Sequence, residues 1–558
     1  MKKYALGLDY GTLSVRALLL DLQTGAEAAT AVYEYPHGVM ETELPDGTKL
    51  PPDFALEHPQ DYLDGMETTI RQVMAEQNVL PEQIVGIGLD VTSSTVLPLD
   101  ENGQPLCLTP EFSGNPHAWM KLWKHHAANE LAERLTQVAR QRQEPWICYY
   151  GDVVMGEFLL PKAVELAVKA PEVFEKTYLF MEAADWIVWL LTGQPSRSLS
   201  MAGTTGYYRK DSGYPDKAYF RAVCPDAENV PDKLQGKMIP MGESAGGLTE
   251  LWAKRLGLMP GTPVAAGAVD AHIGVIGCGA SRAGDMTTVI GTSACSMLNS
   301  VDGGPVPGIY TGADGANIPG MYGYQGSQNC VGDMLSWFVE NCVPYAAYKQ
   351  AEAEKVNIHT YLMEKAEKLL PGESGLMALD WFNGNRTPLM DLSLTGALVG
   401  LTIQTKPEEI YRALMESAAF GFRRVIDTFE AAGKPVRRII AGGGIPGKNP
   451  LMMQIYADVC GRPLIISQSQ QSSALGSAIL GASAAGECVT GCKDIPALME
   501  KYIRPSETVY MPNASRQAVY DKLYAQYLRL SHELAAKDSV VRELRKIKKG
   551  EVHEKVSV

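Results

Sequence analysis

One acidic residue, Asp270, lies in an apolar, glycine-rich segment, VAAGAVDAHIG. An unpaired charge in apolar surroundings is costly, so a carboxylate here needs a function or a structural partner. Shortly after it, DMTTVIGTSACSM interrupts a β-type pattern with Gly291, Thr292 and Ser293, a polar turn suited to holding phosphate. Together, the acid and the polar turn predict a base that takes a proton from a hydroxyl group while a nucleoside triphosphate is bound opposite the base. The alternative is a structural acid that caps a helix at AHIGVIG, and this stretch alone does not decide between them.

A second turn of the same type follows the first predicted strand. An apolar run at 4–8 leads through Asp9 to the pair Gly11-Thr12, and β character resumes at 14–21. The same order of strand, Gly-Thr turn and strand returns at 287–298. This repetition indicates a duplicated domain with a nucleotide bound in the cleft between the halves. Asp9 is then available to hold Mg²⁺, directly or through a water molecule.

Length and composition narrow the class of protein. A chain of 558 residues with 46% hydrophobic residues is long enough for two large domains with a cleft. The net charge of −14 argues against a nucleic-acid partner or an anionic membrane. The ten cysteines are scattered and form no CxxC pair, which favours reduced thiols in a cytoplasm. Asp9 breaks the N-terminal apolar run, which therefore predicts neither a signal peptide nor a membrane span.

Three further segments carry polar groups suited to ligand binding. The predicted strand at 84–89 ends in DVTSST, which places Ser94 where open α/β sheets hold ligands. The segment 195–216 predicts a loop, a lid or the rim of a pocket. Gln325, Gln328 and Asn329 are predicted at a helix start, where they either hold sugar hydroxyls or cap the helix.

A run of three glycines in AGGGIPGKN lets the backbone approach a flat ligand or a phosphate closely. This run is neither a Walker loop nor a Rossmann fingerprint.

Four segments together resemble the FGGY family of carbohydrate kinases, in the sugar kinase, Hsp70 and actin superfamily: GLDYGTLSVRALL, GAVDAHIG, VIGTS and GGGIPGKNPLMMQIYADV. The resemblance implies an α/β fold of two actin-like (ribonuclease H-like) domains that close on a sugar and MgATP. It implies a sugar-binding domain over 1–265, a domain with the base and the nucleotide site over 266–500, and a helical extension over 501–558.

The resemblance also implies a role for individual residues. Asp270 matches the catalytic base, and Asp9 matches the acid near Mg²⁺ and the phosphates. The ATP-binding positions are Gly11, Thr12 and Arg16 in the first hairpin, Gly291 and Thr292 in the second, and Gly443, Gly444 and Asn449 in the nucleoside segment.

Further segments, among them NPHAWMKLWKHHAA and DWFNGNR, resemble the bacterial branch of the family that phosphorylates L-ribulose. The expected reaction is ATP-dependent conversion of L-ribulose to L-ribulose 5-phosphate, as in arabinose catabolism. Two candidate sugar-binding residues depart from that branch, because Gln325 stands in place of a glutamate and Thr205 in place of a lysine. Another ketose or a pentitol is therefore an alternative acceptor, and a non-catalytic regulator that binds sugar or nucleotide is another alternative. The expected partners are a sugar and ATP, without nucleic acid or membrane, and a homodimer is a candidate assembly.

Overall fold

A computed structural model describes residues 2–504 and 506–548. The first half contains strands β1 to β13, at Tyr4–Tyr10, Ser14–Asp21, Glu27–Glu34, Leu56–Glu57, Ile84–Val91, Val96–Leu99, Met120–Lys121, Leu179–Glu182, Ser196–Ser198, Lys237–Ile239, Ser244–Gly247, Pro263–Ala265 and Ala268–Val269. Its helices α1 to α9 span Pro59–Glu76, Asn129–Gln141, Leu159–Lys169, Pro171–Lys176, Ala183–Thr192, Leu199–Thr204, Lys217–Val223, Glu250–Leu256 and Asp270–Gly277.

The second half contains strands β14 to β22, at Asp285–Ile290, Ala294–Ser300, Thr311–Asp314, Tyr322–Gln328, Met377–Leu379, Ala397–Val399, Arg438–Gly442, Leu464–Ile466 and Val509–Tyr510. Its helices α10 to α19 span Gly332–Cys342, Tyr345–Glu354, Ile358–Ala366, Pro407–Ala431, Pro450–Cys460, Ser472–Ala484, Glu487–Thr490, Ile495–Tyr502, Ala514–Ala535 and Val540–Lys548.

Two seven-stranded sheets form the centre of the molecule. The first has the order β11-β12-β5-β1-β2-β3, with β13 also paired to β5, and the second has the order β16-β17-β15-β14-β20-β21-β22. In the first sheet, the antiparallel hairpin β1-β2 has β3 antiparallel to β2 on one side and β5 and β12 parallel to β1 on the other. In the second sheet, the hairpin β14-β15 has β17 antiparallel to β15 on one side and β20 and β21 parallel to β14 on the other. The order β3-β2-β1-β5-β12 therefore corresponds to β17-β15-β14-β20-β21. The predicted duplication and the two-domain α/β fold are confirmed.

Strand β1 is buried along its whole length because helices cover both faces of its sheet. Leu6 and Leu8 face one way and belong to the same core as residues of α1, whereas Ala5 faces the opposite way and belongs to the core around α15. The two-residue period of a strand thus separates two cores. An apolar run without alternation is the pattern expected for such a doubly covered strand.

Helix α15 follows the second sheet in the chain but packs against the first. A Cβ atom on Gly7, Gly86 or Gly88 would lie 1.9–2.0 Å from a backbone oxygen of α15. Only glycine permits this approach of strand and helix backbones. Helix α9 packs against the same helix, and the core around both also contains Met297 and Ile440 of the second sheet. Helices α9 and α15 therefore lie between the two sheets.

Two local predictions are wrong. The segment 195–216, predicted as a loop, contains β9 and α6, because Ser198 caps α6 through Met201 N and Met201 is buried in the core. Gln325 and Gln328 lie within β17 instead of at a helix start, and α10 begins later, at Gly332.

The C-terminal segment packs on the second half. Strand β22 joins the second sheet, and α18 contributes Tyr520, Tyr524 and Tyr527 to the core. The predicted boundary at 500/501 falls inside α17, and the part of the predicted extension at 549–558 lies outside the described residues. Within 2–504 and 506–548, the helices all lack the combination of length and apolar character needed to cross a bilayer.

Candidate active site

Asp270 is the first residue of α9 and directly follows β13. Strand β13 pairs with the last residues of β5, at the carboxyl end of the first sheet. Its Oδ1 atom accepts a hydrogen bond of 2.6 Å from Ala271 N. Burial and then the nearby Asp9 charge raise the pKa of Asp270 to about 7, while the Ala271 N–H opposes this rise. A carboxylate with a pKa near neutrality is well matched to the work of a general base.

Asp9 and Asp90 lie side by side on the parallel strands β1 and β5. Arg16, opposite Asp9 on β2, places its Nη1 atom 3.3 Å from Asp9 Oδ2. The other carboxyl, that of Asp90, accepts a hydrogen bond of 2.6 Å from Ser477 Oγ of α15. No individual role for Asp90 follows from the sequence, where its only signal is its position at the end of a buried strand.

Burial raises the pKa of Asp9, although Arg16 and a hydrogen bond with Asp90 oppose this effect. Burial and the Asp9 charge hold the pKa of Asp90 well above its usual range, and the Asp270 charge adds to the shift. These acids therefore repel one another's ionised forms. Clustered carboxylate oxygens are the ligands that Mg²⁺ prefers, and its positive charge would relieve the repulsion, so this set of residues fits the expected cation.

The first hairpin turns at Gly11 and Thr12. Gly11 N donates to Ser14 O over 2.9 Å, which closes the turn. Thr12 Oγ1 accepts a hydrogen bond of 3.1 Å from the indole Nε1 of Trp123, which precedes α2. The turn is thus fixed on one side by its own backbone and on the other by a tryptophan that the sequence analysis did not assign.

The second hairpin borders a cavity of about 490 Å³. Four predicted nucleotide-binding residues line it, namely Gly291, Thr292, Gly444 and Asn449. Further polar residues that the sequence analysis missed also line it, among them Asp333, His359, Tyr411 and Lys448. Lys448 stands within the AGGGIPGKN motif, so its charge was the available signal. A cavity with a largely apolar wall, a few polar side chains, glycines and one lysine suits a nucleotide.

Two of the predicted nucleoside residues also have structural roles. Gly443 has a φ of +95°, and a Cβ atom there would lie 2.6 Å from Ile290 O, so the turn requires glycine. Gly443 does not line the cavity. Asn449 caps α14, because its Oδ1 atom accepts a hydrogen bond of 3.0 Å from Met452 N.

Ser94 and Thr205 belong to one buried polar cluster of the first half. Ser94 has a φ of +54°, and its carbonyl oxygen accepts a hydrogen bond of 2.7 Å from Lys162 Nζ. Burial lowers the pKa of Lys162 to about 7, although the Glu182 charge opposes this effect. Thr205 Oγ1 lies 3.0 Å from Glu182 Oε1 and donates to it. The Thr205 hydroxyl therefore already has a protein partner.

Gln325 lies on β17, between Met297 of β15 and Thr311 of β16. Its Oε1 atom is 3.0 Å from Nε2 of the buried His272, a residue of α9. Burial raises the pKa of the neighbouring Cys295 thiol, a nearby arginine opposes this, and Asp270 adds to it. Cys295 thus lies near both Gln325 and the candidate base. Gln325 and Thr205 are not hydrogen-bonded to each other.

An ion pair joins the two halves beside this group. Arg386 Nη2 lies 2.6 Å from Glu157 Oε1, and both side chains are largely buried. The guanidinium also lies over the ring of Tyr310, with its carbon 5.2 Å from the ring centroid. Arg386 lies in the segment DWFNGNR, to which the sequence analysis attached no individual role.

A separate group of potential metal ligands, His37, His58 and Asp61, lies near the start of α1, with ligand atoms within 4.8 Å of one another. His58 Nδ1 accepts a hydrogen bond from Gln60 N as the cap of α1, and Asp61 binds His37 Nδ1 over 2.7 Å. These contacts account for the cluster without an ion.

The arrangement contains the parts that phosphoryl transfer needs. A carboxylate with a pKa near 7 lies beside a second acidic pair on one sheet, and two Gly-Thr turns lie on separate sheets. Phosphoryl transfer depends on alignment and charge neutralisation more than on covalent chemistry.

Known proteins match the chain over nearly its whole length. Residues 4–277 match the N-terminal domain of the FGGY family of carbohydrate kinases, and residues 286–485 match its C-terminal domain. A ribulokinase of Bacillus licheniformis is 45% identical over 538 residues, which are 96% of this chain and 98% of the relative. A ribulokinase of Geobacillus thermodenitrificans is 42% identical over 95% of this chain and 94% of the relative.

Solved structures match the fold. A gluconate kinase from Lactobacillus acidophilus superposes with a TM-score of 0.80 at 20% identity, over 96% of this chain and 99% of that chain. A xylulose kinase from Rhodospirillum rubrum superposes with a TM-score of 0.78 at 23% identity, over 95% of this chain and 99% of that chain.

Proposed function

The chain belongs to the FGGY family of carbohydrate kinases, and we propose that it transfers the γ-phosphoryl group of ATP to the terminal hydroxyl of a ketopentose. L-Ribulose is the first candidate, with L-ribulose 5-phosphate and ADP as products. The names of the relatives, ribulokinases at 42–45% identity, support ribulose as the acceptor. The observation that carries the proposal is Asp270, a carboxylate with a pKa of about 7 next to Asp9.

In the proposed mechanism, Asp270 takes the proton from the sugar hydroxyl as its oxygen attacks the γ-phosphorus. Asp9 would hold Mg²⁺, directly or through water, and the cation would neutralise charge on the phosphates. Arg16 would restrain Asp9. The Gly11-Thr12 and Gly291-Thr292 turns would bind phosphate oxygens from opposite sides, and closure of the halves would exclude water.

The cavity next to the second hairpin is the proposed nucleoside site. Gly444 and Asn449 line it, and Lys448 supplies a positive charge for the phosphates. Gly443 would contribute by shaping the turn.

The identity of the acceptor depends on the candidate sugar-binding residues Gln325 and Thr205. Gln325 offers a neutral amide, and the Thr205 hydroxyl is already bonded to Glu182. These two features favour a second candidate function, phosphorylation of another ketopentose, ketohexose or pentitol. Because Thr205 faces Glu182 and not Gln325, the two departures act on separate parts of the site.

The test is a panel of acceptors assayed by ADP release and by NMR of the phosphorylated product. L-Ribulose, D-ribulose, both xyluloses, ribitol and L-arabitol are compared at saturating MgATP. A kcat/KM for L-ribulose at least tenfold above every other acceptor supports the first candidate. A higher value for another acceptor supports the second, and the absence of sugar-dependent ADP release with any acceptor contradicts the proposal.

The proposed compartment is the cytoplasm, supported by ATP as substrate and by ten cysteines that are all free. The homodimer stays a prediction, and light scattering of the purified protein tests it.

A further inference from the structure

The neighbours of Gln325 determine which way its side-chain amide must point. The backbone oxygens of Ala280 and Leu298 can only accept hydrogen bonds. Asn299 Nδ2 therefore donates to Ala280 O over 2.7 Å, and Asn317 Nδ2 donates to Leu298 O over 3.2 Å. Asn317 Nδ2 also reaches Asn299 Oδ1 over 3.0 Å. Both asparagine amides are thus oriented by partners that cannot exchange roles.

This orientation decides the tautomer of His272. Asn317 presents its Oδ1 atom to His272 Nδ1 over 2.6 Å, so Nδ1 must carry a hydrogen. His272 is buried, and burial lowers its pKa, while its two hydrogen bonds to amides oppose the shift. An imidazolium buried without a counter-charge is unfavourable, so His272 is neutral. A neutral ring with a hydrogen on Nδ1 has a bare acceptor at Nε2.

The side-chain atom of Gln325 that faces this acceptor must therefore be a donor. With Oε1 at 3.0 Å from Nε2, two lone pairs would face each other. Turning the amide by 180° places the NH₂ group there with almost no change in shape. The carbonyl oxygen then lies on the side of the Cys295 thiol, and Gln325 and Cys295 are both partly exposed.

We infer that His272 is a positioning residue: it holds the Gln325 amide with its NH₂ group inwards, so that the Gln325 carbonyl oxygen accepts a hydrogen bond from a hydroxyl of the sugar. The inference rests on the proposed function for its substrate and on the hydrogen-bond network for its geometry. It gives the site a neutral acceptor held in one orientation. The group it recognises is a hydroxyl that donates, as opposed to an ether or a carbonyl oxygen.

The network also predicts what a carboxylate would do at this position. Gln325→Glu would place an oxygen against the bare Nε2 atom and supply a negative charge. Both nitrogens of His272 would then face acceptors, so the ring should take up a second proton. Gln325→Met keeps the approximate shape but removes both the donor and the acceptor.

The first experiment measures the tautomer directly, by two-bond ¹H–¹⁵N correlation NMR of the full chain labelled with ¹⁵N-histidine. The His272 signals are identified by their loss in His272→Gln or, if that variant does not fold, by replacing the other histidines in turn. We expect a hydrogen on Nδ1 and a bare Nε2 in the wild type at neutral pH, and two protonated nitrogens in Gln325→Glu. His359, whose Nδ1 lies 3.0 Å from Tyr411 Oη, is the internal control and should not change.

A hydrogen on Nε2, or a doubly protonated ring, in the wild type at neutral pH would overturn the positioning role. This readout does not depend on any reaction, so it decides the geometry even if no sugar is phosphorylated.

The second experiment tests the contact with the sugar. A net hydrogen bond between neutral groups contributes about 0.5–1.5 kcal/mol, so Gln325→Met should raise the KM of the preferred sugar roughly 2- to 12-fold. The KM for ATP should stay the same. Gln404→Met, at an exposed position, is the matched control. If the wild type is an active kinase and Gln325→Met leaves the sugar KM within twofold, the contact is refuted while the proposed function stands.

Discussion

Replacing Asp270 with asparagine should make the protein more stable and nearly inactive at the same time. Burial raises the pKa of Asp270 from its ordinary value of 3.8 to about 7. In the unfolded chain the carboxyl ionises at its ordinary pKa, so at pH 8 folding transfers an ionised carboxylate into a site that opposes its charge. A pKa difference of about 3 corresponds to at most about 4 kcal/mol of lost stability.

The pH dependence has a definite sign. Because the folded form holds the Asp270 proton more tightly, the contribution of Asp270 to stability falls as pH rises from about 4 to about 7 and is constant above that. The asparagine side chain does not titrate. The advantage of Asp270→Asn over the wild type should therefore be at most about 4 kcal/mol at pH 8, at most about 2 kcal/mol at pH 5, and near zero below pH 4.

The assay is thermal unfolding without nucleotide or magnesium, since a bound cation would change the electrostatics of the site. About 2–4 °C per kcal/mol is typical for domains of this size, so the variant should unfold at a higher temperature at pH 8, by at most about 8–16 °C. Turnover, measured separately with MgATP and the preferred sugar, should fall by about 10²- to 10⁴-fold because the base is lost.

Two results would refute this reasoning. Equal unfolding temperatures of the variant and the wild type at pH 8 would mean that the folded protein does not raise the pKa of Asp270. Sugar-dependent turnover within a few fold of the wild type would mean that Asp270 is not the base.

Three further outcomes follow from the packing and the cavity. Gly88→Ala places a Cβ atom 1.9 Å from Ser477 O and should lower stability by about 3 kcal/mol or more. The control variant Gly447→Ala has no atom within 4 Å of its Cβ and should leave the unfolding temperature unchanged. Equal unfolding temperatures for the two variants would contradict the close contact of Gly88 with α15. Gly444→Ala, like Gly447→Ala, has no atom within 4 Å of its Cβ, but Gly444 lines the nucleoside cavity. The KM for ATP should therefore rise roughly tenfold, about 1.4 kcal/mol, while the sugar KM stays unchanged. An unaltered KM for ATP would place the nucleotide elsewhere. Solution scattering should show a smaller radius of gyration with sugar and an ATP analogue than with either ligand alone, and no compaction under confirmed binding would argue against a cleft built from both halves.

The predicted parts of the fold are those that local pattern determines. The hairpin at 4–21 and its counterpart at 287–298 were predicted because an apolar run, a Gly-Thr turn and a second β-type run lie next to each other in the chain. The short elements in 195–216 were missed because the burial of Met201 depends on tertiary packing.

In the candidate site too, residues marked by local pattern were predicted, and residues whose partners are distant in sequence were not. Asp9 and Asp270 stand out in sequence as charges in apolar runs. Asp90 and His272 do not, because their partners are Ser477 of α15 and the side chains of Asn317 and Gln325. Those contacts exist only after folding, so single-sequence patterns carry little signal for them.

The position of α15 has a consequence for biosynthesis. Ser477 contacts Asp90 across 387 residues of chain, and the whole helix covers β1 and β5. At about 5–20 residues per second, a ribosome takes roughly 20–80 s to make the intervening segment. Through that interval one face of the first sheet lacks its native cover, so the residues 4–277 that match the family's N-terminal domain are not expected to complete their fold on the ribosome. A nascent chain released early would expose the glycine-lined faces of β1 and β5, and the first half becomes complete only when nearly all of the second has been made.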